Sequence, residues 1–481
     1  MQLSLKEISP IRRSYSDPYR FTSKRSSTPK QSPIVIVGGG LAGLLAAYYL
    51  SDLNPLLLEA SNTIGGNCQA GCWDGLQYSQ GASYLDYPTQ GTYEFEVLSE
   101  LGLLDQVIPF CGLRQAEVAD IINDSLELPE SINARGQFLA KQLESCIQRV
   151  IQSRELDIFA RDNQSQSWIH ELDKLSLAEI ICAPPPAVPA ELAALLENYA
   201  LSTFGGFPEQ ISAAGALYFL SGEFGRKATF RGGLAVLAEA LLHSHVEING
   251  LEAVRSAARV TNLELTRHGV MLEYINGNRP ERVLAQKVVV ACNKRTFRDI
   301  YPNLEPTRRA LIDNLQYRNY LVANLFLKEG PDGLQSSLFF IENRGELKGE
   351  GSDPFRITDV IVNKSPALND PRIVLTIFCP LLPGQRYEQA DHDSLKRSIL
   401  KSLPTHIFKS RDNIAGFEFR QYLDALPLMT PTLLSSGALK ALREPIADKI
   451  YFVQQDNWML PSIRTCFYEA DYWSGVIRAS L

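Results

Sequence analysis

The sequence predicts an α/β fold, in which a parallel sheet carries helices on its faces and a second region of α+β type is inserted. Three patterns lead to this prediction. Residues 34–37 form a short β-branched run, and residues 41–50 follow with the apolar spacing of a helix. The run PLLLEA at 55–60 is typical of a second buried strand. Several β-rich runs between residues 300 and 428 predict a separate sheet.

A glycine pattern joins the first strand to the first helix. Gly38, Gly40 and Gly43 form G-x-G-x-x-G. The first glycine permits a tight turn, the second lets the backbone approach a pyrophosphate, and the third lets the helix pack on the strand. Phosphate would meet the helix N-terminus at Leu41 and Ala42, where unpaired N–H groups and the helix dipole favour an anion.

An acid ends the second predicted strand. Glu59 stands sixteen residues after Gly43, where a carboxylate can accept hydrogen bonds from a ribose diol and would repel a 2′-phosphate. Strand, glycine pattern, helix, strand and acid in this order predict a Rossmann-like domain that binds an ADP-containing dinucleotide. The alternative is a glycine-rich turn followed by an accidental acid.

The residues after Glu59 give a more specific signal. The stretches ASNTIGGNCQ and GLQYSQGASYLDYP resemble the superfamily of flavin-containing amine oxidases, protoporphyrinogen oxidases and phytoene-type desaturases. Gly65 and Gly66 occupy the family's paired-glycine motif, where residues without a Cβ let the chain pass close over a pyrophosphate. The family usually has Arg on both sides of this pair. Thr63 and Asn67 stand there instead, which weakens phosphate neutralisation.

This resemblance implies FAD as the cofactor. It places residues 81–84 beside the isoalloxazine ring. An ordinary strand-to-loop junction is the alternative interpretation of these residues. Further cofactor contacts implied by the resemblance are Ala60, next to the acid, and the ring segment itself, Gly81, Ala82, Ser83 and Tyr84.

The C-terminal residues DKIYFVQQDNWMLPSIRTCFYEADYWSGVIRASL resemble the family's closing motif, a strand ending in an acid and then a helix. Asp456 stands where that acid contacts the ribityl and pyrophosphate region. The resemblance implies a last helix beginning near Glu469, with Ala470 in its first turn and its amide dipoles facing the flavin N1 and C2 carbonyl edge. Asp471 departs from the family pattern, and a carboxylate near N1 would oppose flavin reduction.

The central block FRGGLAVLAEALLHSHVEINGLEAV also resembles the family. It implies a strand near residues 246–254 whose backbone lies against adenine, with Glu252 as the expected contact. Asn276-Gly277 predicts a hairpin turn, after which a β-branched strand returns to the first sheet. His243 and His245 are interpreted as surface residues after a helix, because no third metal ligand stands nearby.

The predicted domains are interleaved along the chain. Segments 33–99, 229–299 and 429–481 are assigned to a discontinuous Rossmann-like FAD-binding domain of the GR2 type. Segments 100–228 and 300–428 are assigned to an α+β substrate-binding domain. Residues 1–32 are basic and rich in Ser and Pro, so a flexible tail is expected. A solvated leader of a cytoplasmic protein is favoured, and an organelle transit peptide is the alternative.

Composition argues against several classes of protein. The net charge is −7 and acids and bases are interspersed, which argues against nucleic-acid binding. No apolar run reaches the ~20 residues of a membrane span. The eight cysteines are scattered, and Cys68 and Cys72 are interpreted as structural thiols of a reducing compartment. No metal site is expected, and the sequence does not indicate an oligomeric state.

The predicted function is oxidation of a small organic substrate by hydride transfer to flavin N5. Many amine-oxidising relatives place a Lys near N5 in the strand that matches NYLVANLFL, but Tyr320, Ala323 and Asn324 bracket the place in this chain. The missing Lys makes amine oxidation less expected. It leaves desaturation of C–C bonds, porphyrinogen-type oxidation and flavin-dependent isomerisation open.

Three aromatic residues, Tyr422, Trp458 and Tyr468, are candidates for lining a substrate pocket. No catalytic acid or base is assigned. A competing hypothesis is a non-enzymatic binder, since guanine-nucleotide dissociation inhibitors and Rab escort proteins resemble this fold without using a flavin. The intact nucleotide-binding motifs argue against that hypothesis. A dehydrogenase that uses only nicotinamide does not explain the paired glycines or the closing motif.

Overall fold

The computed structural model describes residues 30–110, 117–120, 141–150, 156–159, 163–181, 190–223, 226–331, 337–341, 355–403, 407 and 410–481, with gaps at 143, 149, 366, 368 and 389–390. Most of the predicted N-terminal tail therefore lies outside the described residues. Residues 30–32 were assigned to that tail, which is wrong. They continue the first strand, because they pair in parallel register with residues 283–285 of its neighbour.

Strands and helices of the described part are numbered in chain order. The strands are β1 (Lys30–Val37), β2 (Leu56–Leu58), β3 (Ala70–Trp73), β4 (Leu76–Ser79), β5 (Tyr84–Asp86), β6 (Ile108–Phe110), β7 (Glu117–Asp120), β8 (Lys227–Thr229), β9 (Val254–Arg255), β10 (Ala258–Thr266), β11 (Gly269–Asn276), β12 (Arg279–Val290), β13 (Gln316–Leu327), β14 (Ser337–Ile341), β15 (Asp359–Lys364), β16 (Ile373–Pro380), β17 (Ile414–Leu428) and β18 (Ile450–Phe452). The α-helices are α1 (Leu41–Tyr49), α2 (Tyr93–Glu100), α3 (Asn163–Asp173), α4 (Leu177–Ile181), α5 (Ala190–Phe204), α6 (Ala213–Glu223), α7 (Ala235–Asn249), α8 (Lys294–Ile300), α9 (Pro306–Asn314), α10 (His392–Ser402), α11 (Ala438–Arg443) and α12 (Ile463–Ala479).

The first sheet has seven strands drawn from both ends and the middle of the chain. β9, β2, β1 and β12 lie side by side in parallel. The other edge of β12 pairs with antiparallel β11 and, over its last three residues, with parallel β18. The hairpin of β11 and β12 turns after Asn276, as predicted. The C-terminal strand β18 therefore lies close to the N-terminal strands, with β12 and β1 between it and β2.

Both faces of this sheet are covered. Ile34 and Ile36 of β1 are fully buried and belong to the apolar core under α1, α7 and α12, while Val35 belongs to the core on the opposite face. Burial on both faces is the reason for the unbroken β-branched run of this strand. Helix α1 packs against both α7 and α12, so the first and last helices of the described chain are in contact.

The second sheet has six strands in the order β17-β13-β16-β15-β14-β7. Its first four pairings are antiparallel, and β14 and β7 are parallel. One face packs on α10 through an apolar core that includes Leu325, Leu375 and Leu395. The other face is directed towards the first sheet, and this arrangement creates the space described below.

Two predicted features of the central block are wrong. No strand begins at residue 246, because α7 continues to Asn249 and a single 3₁₀ turn, Leu251–Ala253, follows. His243 and His245 lie inside α7 rather than after it, and His245 is fully buried. Its burial lowers the pKa of the imidazole, so it is a core residue held neutral.

Cys68 is buried and Cys72 is exposed, and both are free thiols. No cluster of three or more metal-ligating side chains occurs among the described residues. Within the same part of the chain, no helix combines the length and apolar character needed to cross a lipid bilayer.

Candidate functional site

The turn between β1 and α1 depends on glycine. Gly38 has a φ of +114°, a conformation that side chains disfavour. A Cβ on Gly43 would lie 1.9 Å from the carbonyl oxygen of Gly38. Helix α1 can therefore approach β1 this closely only because Gly43 has no side chain, as the sequence predicted.

The paired glycines cross directly over this turn. The Gly65 N–H donates to the Gly39 carbonyl over 2.8 Å, and a Cβ on Gly66 would lie 2.8 Å from the Cα of Gly40. Gly66 also has a φ of +60°. The crossing leaves bare backbone at the N-terminus of α1, where a pyrophosphate can approach without meeting side chains.

Glu59 lies beside the same turn. Its Oε2 accepts a hydrogen bond from the Gly39 N–H over 2.7 Å, and its Oε1 accepts from the N–H and the hydroxyl of Ser61, each over 2.7 Å. These bonds fix the carboxylate at the end of β2. Each carboxylate oxygen has two lone pairs, so Glu59 can also receive a sugar hydroxyl.

One cavity of about 1520 Å³ is bordered both by this turn and by the second sheet. It is larger than the roughly 300–1000 Å³ of ordinary ligand pockets, so it has room for a dinucleotide and a second molecule. Most of the residues predicted to bind the cofactor or to line the pocket border this cavity: Gly38, Gly40, Leu41, Ala42, Glu59, Ala60, Gly66, Gly81, Ala82, Ser83, Tyr84, Tyr422 and Asp456.

Other predicted site residues do not border the cavity. Gly43 and Gly65 pack closely against the backbone on the side of the turn that faces away from the cavity. Glu252 is exposed on the 3₁₀ turn, and the segment that borders the cavity near Glu59 is 258–262 in β10, six or more residues later. The displacement arises because α7 is longer than expected. Glu252 therefore does not lie at the cavity, and β10 borders it in the region where that contact was predicted.

The predicted position of the last helix is also corrected. Helix α12 begins at Ile463, six residues before the expected start at Glu469. Its N-terminal residues Ser462, Ile463 and Arg464 border the cavity, whereas Ala470 is fully buried in the core on α1 and does not. The unpaired N–H groups of a helix N-terminus therefore face the cavity from residues earlier than those predicted.

Asp456 is almost fully buried between β18 and α12. Its Oδ2 accepts hydrogen bonds from the backbone N–H of Lys294, 2.9 Å away, and from the Tyr317 hydroxyl. Its Oδ1 has no hydrogen-bond partner among the described residues and lies 3.8 Å from Lys294 Nζ. Asp456 borders the cavity, while its Oδ1 is itself buried on the side of Lys294.

Lys294 was not predicted as part of the site. It begins α8, four positions after β12 ends at the buried Val290, and its side chain is 1% exposed. Burial lowers the pKa of the Lys294 ammonium to about 8, and the negative charge of Asp456 opposes that shift. Its Nζ donates to the side-chain oxygen of Asn457. A Lys shortly after a buried strand is the sequence signal that would have identified it.

A second buried carboxylate stabilises the closing motif from behind. Glu469 is fully buried on α12 and receives hydrogen bonds from a guanidinium, two indoles and an amide. These donors are Arg443 (2.9 and 3.0 Å), Trp458 (2.7 Å), Trp473 (3.0 Å) and Asn457 (2.5 Å). Trp458 and Tyr468 were predicted to line the pocket. Both instead pack around Arg443, at 5.6 and 5.9 Å from the ring centroids to the guanidinium carbon, so that prediction is corrected.

The second sheet forms the far wall of the cavity. Tyr320 and Val322 of β13 and Arg420 and Tyr422 of β17 border it. Tyr422 donates to the carbonyl of Gln80 over 2.7 Å, which links the sheet to the segment before Gly81.

The position where many amine-oxidising relatives have a Lys lies in this sheet, on β13, between Tyr320 and Asn324. Asn324 is fully buried there and accepts a hydrogen bond from the Thr376 hydroxyl over 2.7 Å. It does not border the cavity.

This arrangement fits an extended dinucleotide. The backbone left bare by Gly40 and Gly66 suits a pyrophosphate, and Glu59 suits a ribose. The positions where the family has Arg are held by Thr63 and Asn67, which both border the cavity without supplying charge. Fold and site together define a dinucleotide-binding protein of Rossmann-like type with a second sheet facing the cofactor cavity.

The family follows from comparison with known proteins. A family model described as flavin containing amine oxidoreductase matches residues 41–454. The chain therefore belongs to the flavin-containing amine oxidoreductase family. This result confirms the predicted family and its flavin cofactor, and it does not favour the non-enzymatic binder.

Individual relatives are distant. Oxidoreductase PigB of Serratia sp. (strain ATCC 39006) is 24% identical over 373 residues, which cover 67% of this chain and 55% of that protein. The chain thus spans little more than half the length of this relative.

Solved structures resemble most of the chain. Cyclohexylamine oxidase from Brevibacterium oxydans IH-35A is 17% identical with a TM-score of 0.68, covering 93% of this chain and 99% of that one. The CLA-producing fatty acid isomerase from P. acnes is 16% identical with a TM-score of 0.66 and the same coverage. At these identities, the likeness shows the fold.

Proposed function

We propose that this protein is an FAD-dependent oxidoreductase that removes a hydride equivalent from a C–H bond of a small organic substrate. The observation that carries the proposal is the shared cavity. The glycine turn at 38–43, the closing motif at 456–464 and the second sheet all border one continuous space. A protein that bound only a nucleotide would not need a cavity that continues from the glycine turn to a second sheet.

The chain supplies binding and orientation. The N-terminus of α1 would hold the pyrophosphate and Glu59 a ribose, and Asp456 would border the linker between them and the ring. The N-terminus of α12 favours negative charge beside it. When bound, FAD supplies a two-electron acceptor. Lys294 lies next to Asp456 and holds the carboxylate in place from its buried side.

The substrate compartment lies between residues 81–84 and the second sheet. Tyr84, Tyr320 and Tyr422 border it, and Val322 and Phe378 form an apolar floor. Burial raises the pKa of the Tyr422 phenol further above neutral pH, and its hydroxyl is held by the bond it donates to the Gln80 carbonyl. Such a compartment orients an apolar substrate and limits access of water, which is the contribution expected of the protein in flavin chemistry.

The proposed reaction type rests on the residues of the second sheet that border the cavity. No Lys stands among the described residues of the second sheet that border the cavity. We therefore favour dehydrogenation of a C–C or related bond over oxidation of an amine. Isomerisation without net electron transfer is the second candidate, because the same compartment could return the hydride to its substrate.

Two measurements test this proposal. The purified protein should be yellow and should release one FAD per chain on denaturation, and a colourless protein that refuses added FAD would contradict the proposal. Anaerobic mixing with amine, porphyrinogen and polyene panels should then bleach the flavin for a polyene or porphyrinogen. Bleaching by amines alone would contradict the preferred reaction type, and product formed without bleaching would support isomerisation.

The domain boundaries at 99, 228, 299 and 428 remain our prediction. They are supported by the strands of the first sheet, which come from the three segments assigned to the FAD-binding domain. A cytoplasmic location is likewise proposed from composition and is tested by imaging a fluorescent fusion of the full chain.

A further inference from the structure

Four side chains form one row across the second sheet. Arg420 of β17 is paired with Val322 of β13, Val322 with Phe378 of β16, and Phe378 with Asp359 of β15. Directly paired residues point to the same face of a sheet, and all four of these residues border the cavity. The row therefore forms a floor with a cation at one end, an apolar centre and an anion at the other end.

The two ends of this floor differ in how their charges are balanced. Arg420 forms no ion pair with any carboxylate that the structure describes, and its hydrogen bond to the Gln69 amide oxygen is long, at 3.4 Å. Asp359, in contrast, accepts hydrogen bonds of 2.7 Å from the hydroxyls of Ser202 and Thr358. A half-buried guanidinium with donors to spare attracts an anion, whereas a carboxylate already engaged by hydroxyls attracts a cation less strongly.

The apolar centre of the floor determines how long a molecule can be if one end of it binds Arg420. Neighbouring strands are about 4.8 Å apart, so the floor measures roughly 14 Å from Arg420 to Asp359 along the backbone. Val322 and Phe378 cover its middle, and Tyr320 and Tyr422 form the adjoining row. An apolar body can therefore extend from Arg420 across the floor.

We propose that the substrate is a carboxylate-bearing molecule with an apolar body, whose carboxylate is bound by Arg420. This inference rests on the proposed function, because it concerns the substrate of the same site. Arg420 offers paired N–H donors that match the two oxygens of a carboxylate. The apolar body then lies on Val322 and Phe378, in the part of the cavity that adjoins residues 81–84.

Binding measurements on the FAD-loaded protein test the inference without turnover. Octanoate and benzoate are titrated against their uncharged and cationic counterparts, octanol, benzamide, octylamine and benzylamine, while the flavin absorbance spectrum is recorded. The acids should perturb the spectrum with an affinity about ten- to a hundredfold greater than that of their counterparts, the gain expected for charge-assisted hydrogen bonds. Arg420→Gln should abolish this advantage, and Arg420→Lys should restore part of it.

The matched control is Arg411→Gln. Arg411 is exposed just before the same strand, so this variant removes the same charge without touching the cavity. It should leave the preference for acids unchanged.

The outcomes separate this inference from the proposed function. Wild-type protein that neither contains nor takes up flavin would contradict the proposed function. Flavin-loaded protein that binds acids no better than amides or amines would overturn this inference alone. Loss of FAD from Arg420→Gln would also overturn it, because that result would assign Arg420 to the cofactor.

Discussion

Individual charged residues are buried at the closing motif only where other groups compensate them. Asp456 and Glu469 are nearly or fully buried, and each is surrounded by donors from separate elements. Lys294 and Arg443 supply the positive charges opposite them. Burying a charge without such partners would cost several kcal/mol, so each of these residues depends on its partners.

Lys294 should make stability depend on pH in the alkaline range. Burial lowers its pKa to about 8 from 10.5, so between these values the unfolded chain binds more protons than the folded one. Stability contributed at this site therefore rises with pH, by about 2 kcal/mol between roughly pH 7.5 and 9.5. The charged groups that face it are Asp456, Arg308, Glu469 and Arg443.

Chemical denaturation of wild type and Lys294→Met across this pH range measures the effect. The difference in unfolding free energy between the two proteins should increase with pH. Lys440→Met removes an exposed Lys and should give a constant difference. A constant difference for Lys294→Met would show that its pKa is not lowered in the folded protein.

Glu469→Gln should destabilise the protein strongly. The substitution keeps the shape of the side chain but leaves the partly buried Arg443 guanidinium without its fully buried counter-charge. A loss of about 3 kcal/mol is expected. Asp471→Asn, an exposed position on the same helix, should change stability by less than about 0.5 kcal/mol. Equal losses in both variants, measured by chemical denaturation, would argue against a special role for the buried pair.

At the scale of elements, the position of α1 on β1 determines whether the cofactor site forms. Gly43 and Gly475 both lie inside helices, but their surroundings differ. A Cβ at 43 would meet the Gly38 carbonyl at 1.9 Å, whereas a Cβ at 475 would meet open space.

Gly43→Ala should therefore force α1 away from β1 and lower the FAD content of the purified protein severalfold. Gly475→Ala should keep full FAD content and add about 0.5–1 kcal/mol of stability, since Ala favours the helix. FAD content is measured by absorbance after denaturation, and stability by thermal unfolding. Full flavin occupancy in Gly43→Ala would contradict the close packing of α1 on β1.

At the scale of the whole molecule, the first and last helices share one cavity. FAD should bind only when both ends are folded, so it should stabilise them together. Hydrogen exchange with and without FAD should show joint protection of residues 38–43, 65–69 and 456–466. Helix α10, which packs on the far face of the second sheet, should be unaffected. Protection at one end alone would contradict the shared site.

The sequence by itself determined the nucleotide-binding elements, because their signals are local. The order of strand, glycine turn, helix, strand and acid lies within residues 34–59, and the paired glycines and the Asp456 strand each carry a short motif. Steric limits on a turn and the periodicity of a buried strand act between neighbouring residues, so they can be read from neighbouring letters.

Only the tertiary structure decided which distant side chains meet. Lys294 and Asp456 are 162 positions apart, and the row from Arg420 to Asp359 depends on the register of four strands. Trp458 and Tyr468 pack on Arg443 rather than border the cavity, because Arg443 is held there by Glu469, 26 positions along the chain. Register and helix ends follow from packing across the whole chain, and a shift of one residue moves a strand's side chains to the other face.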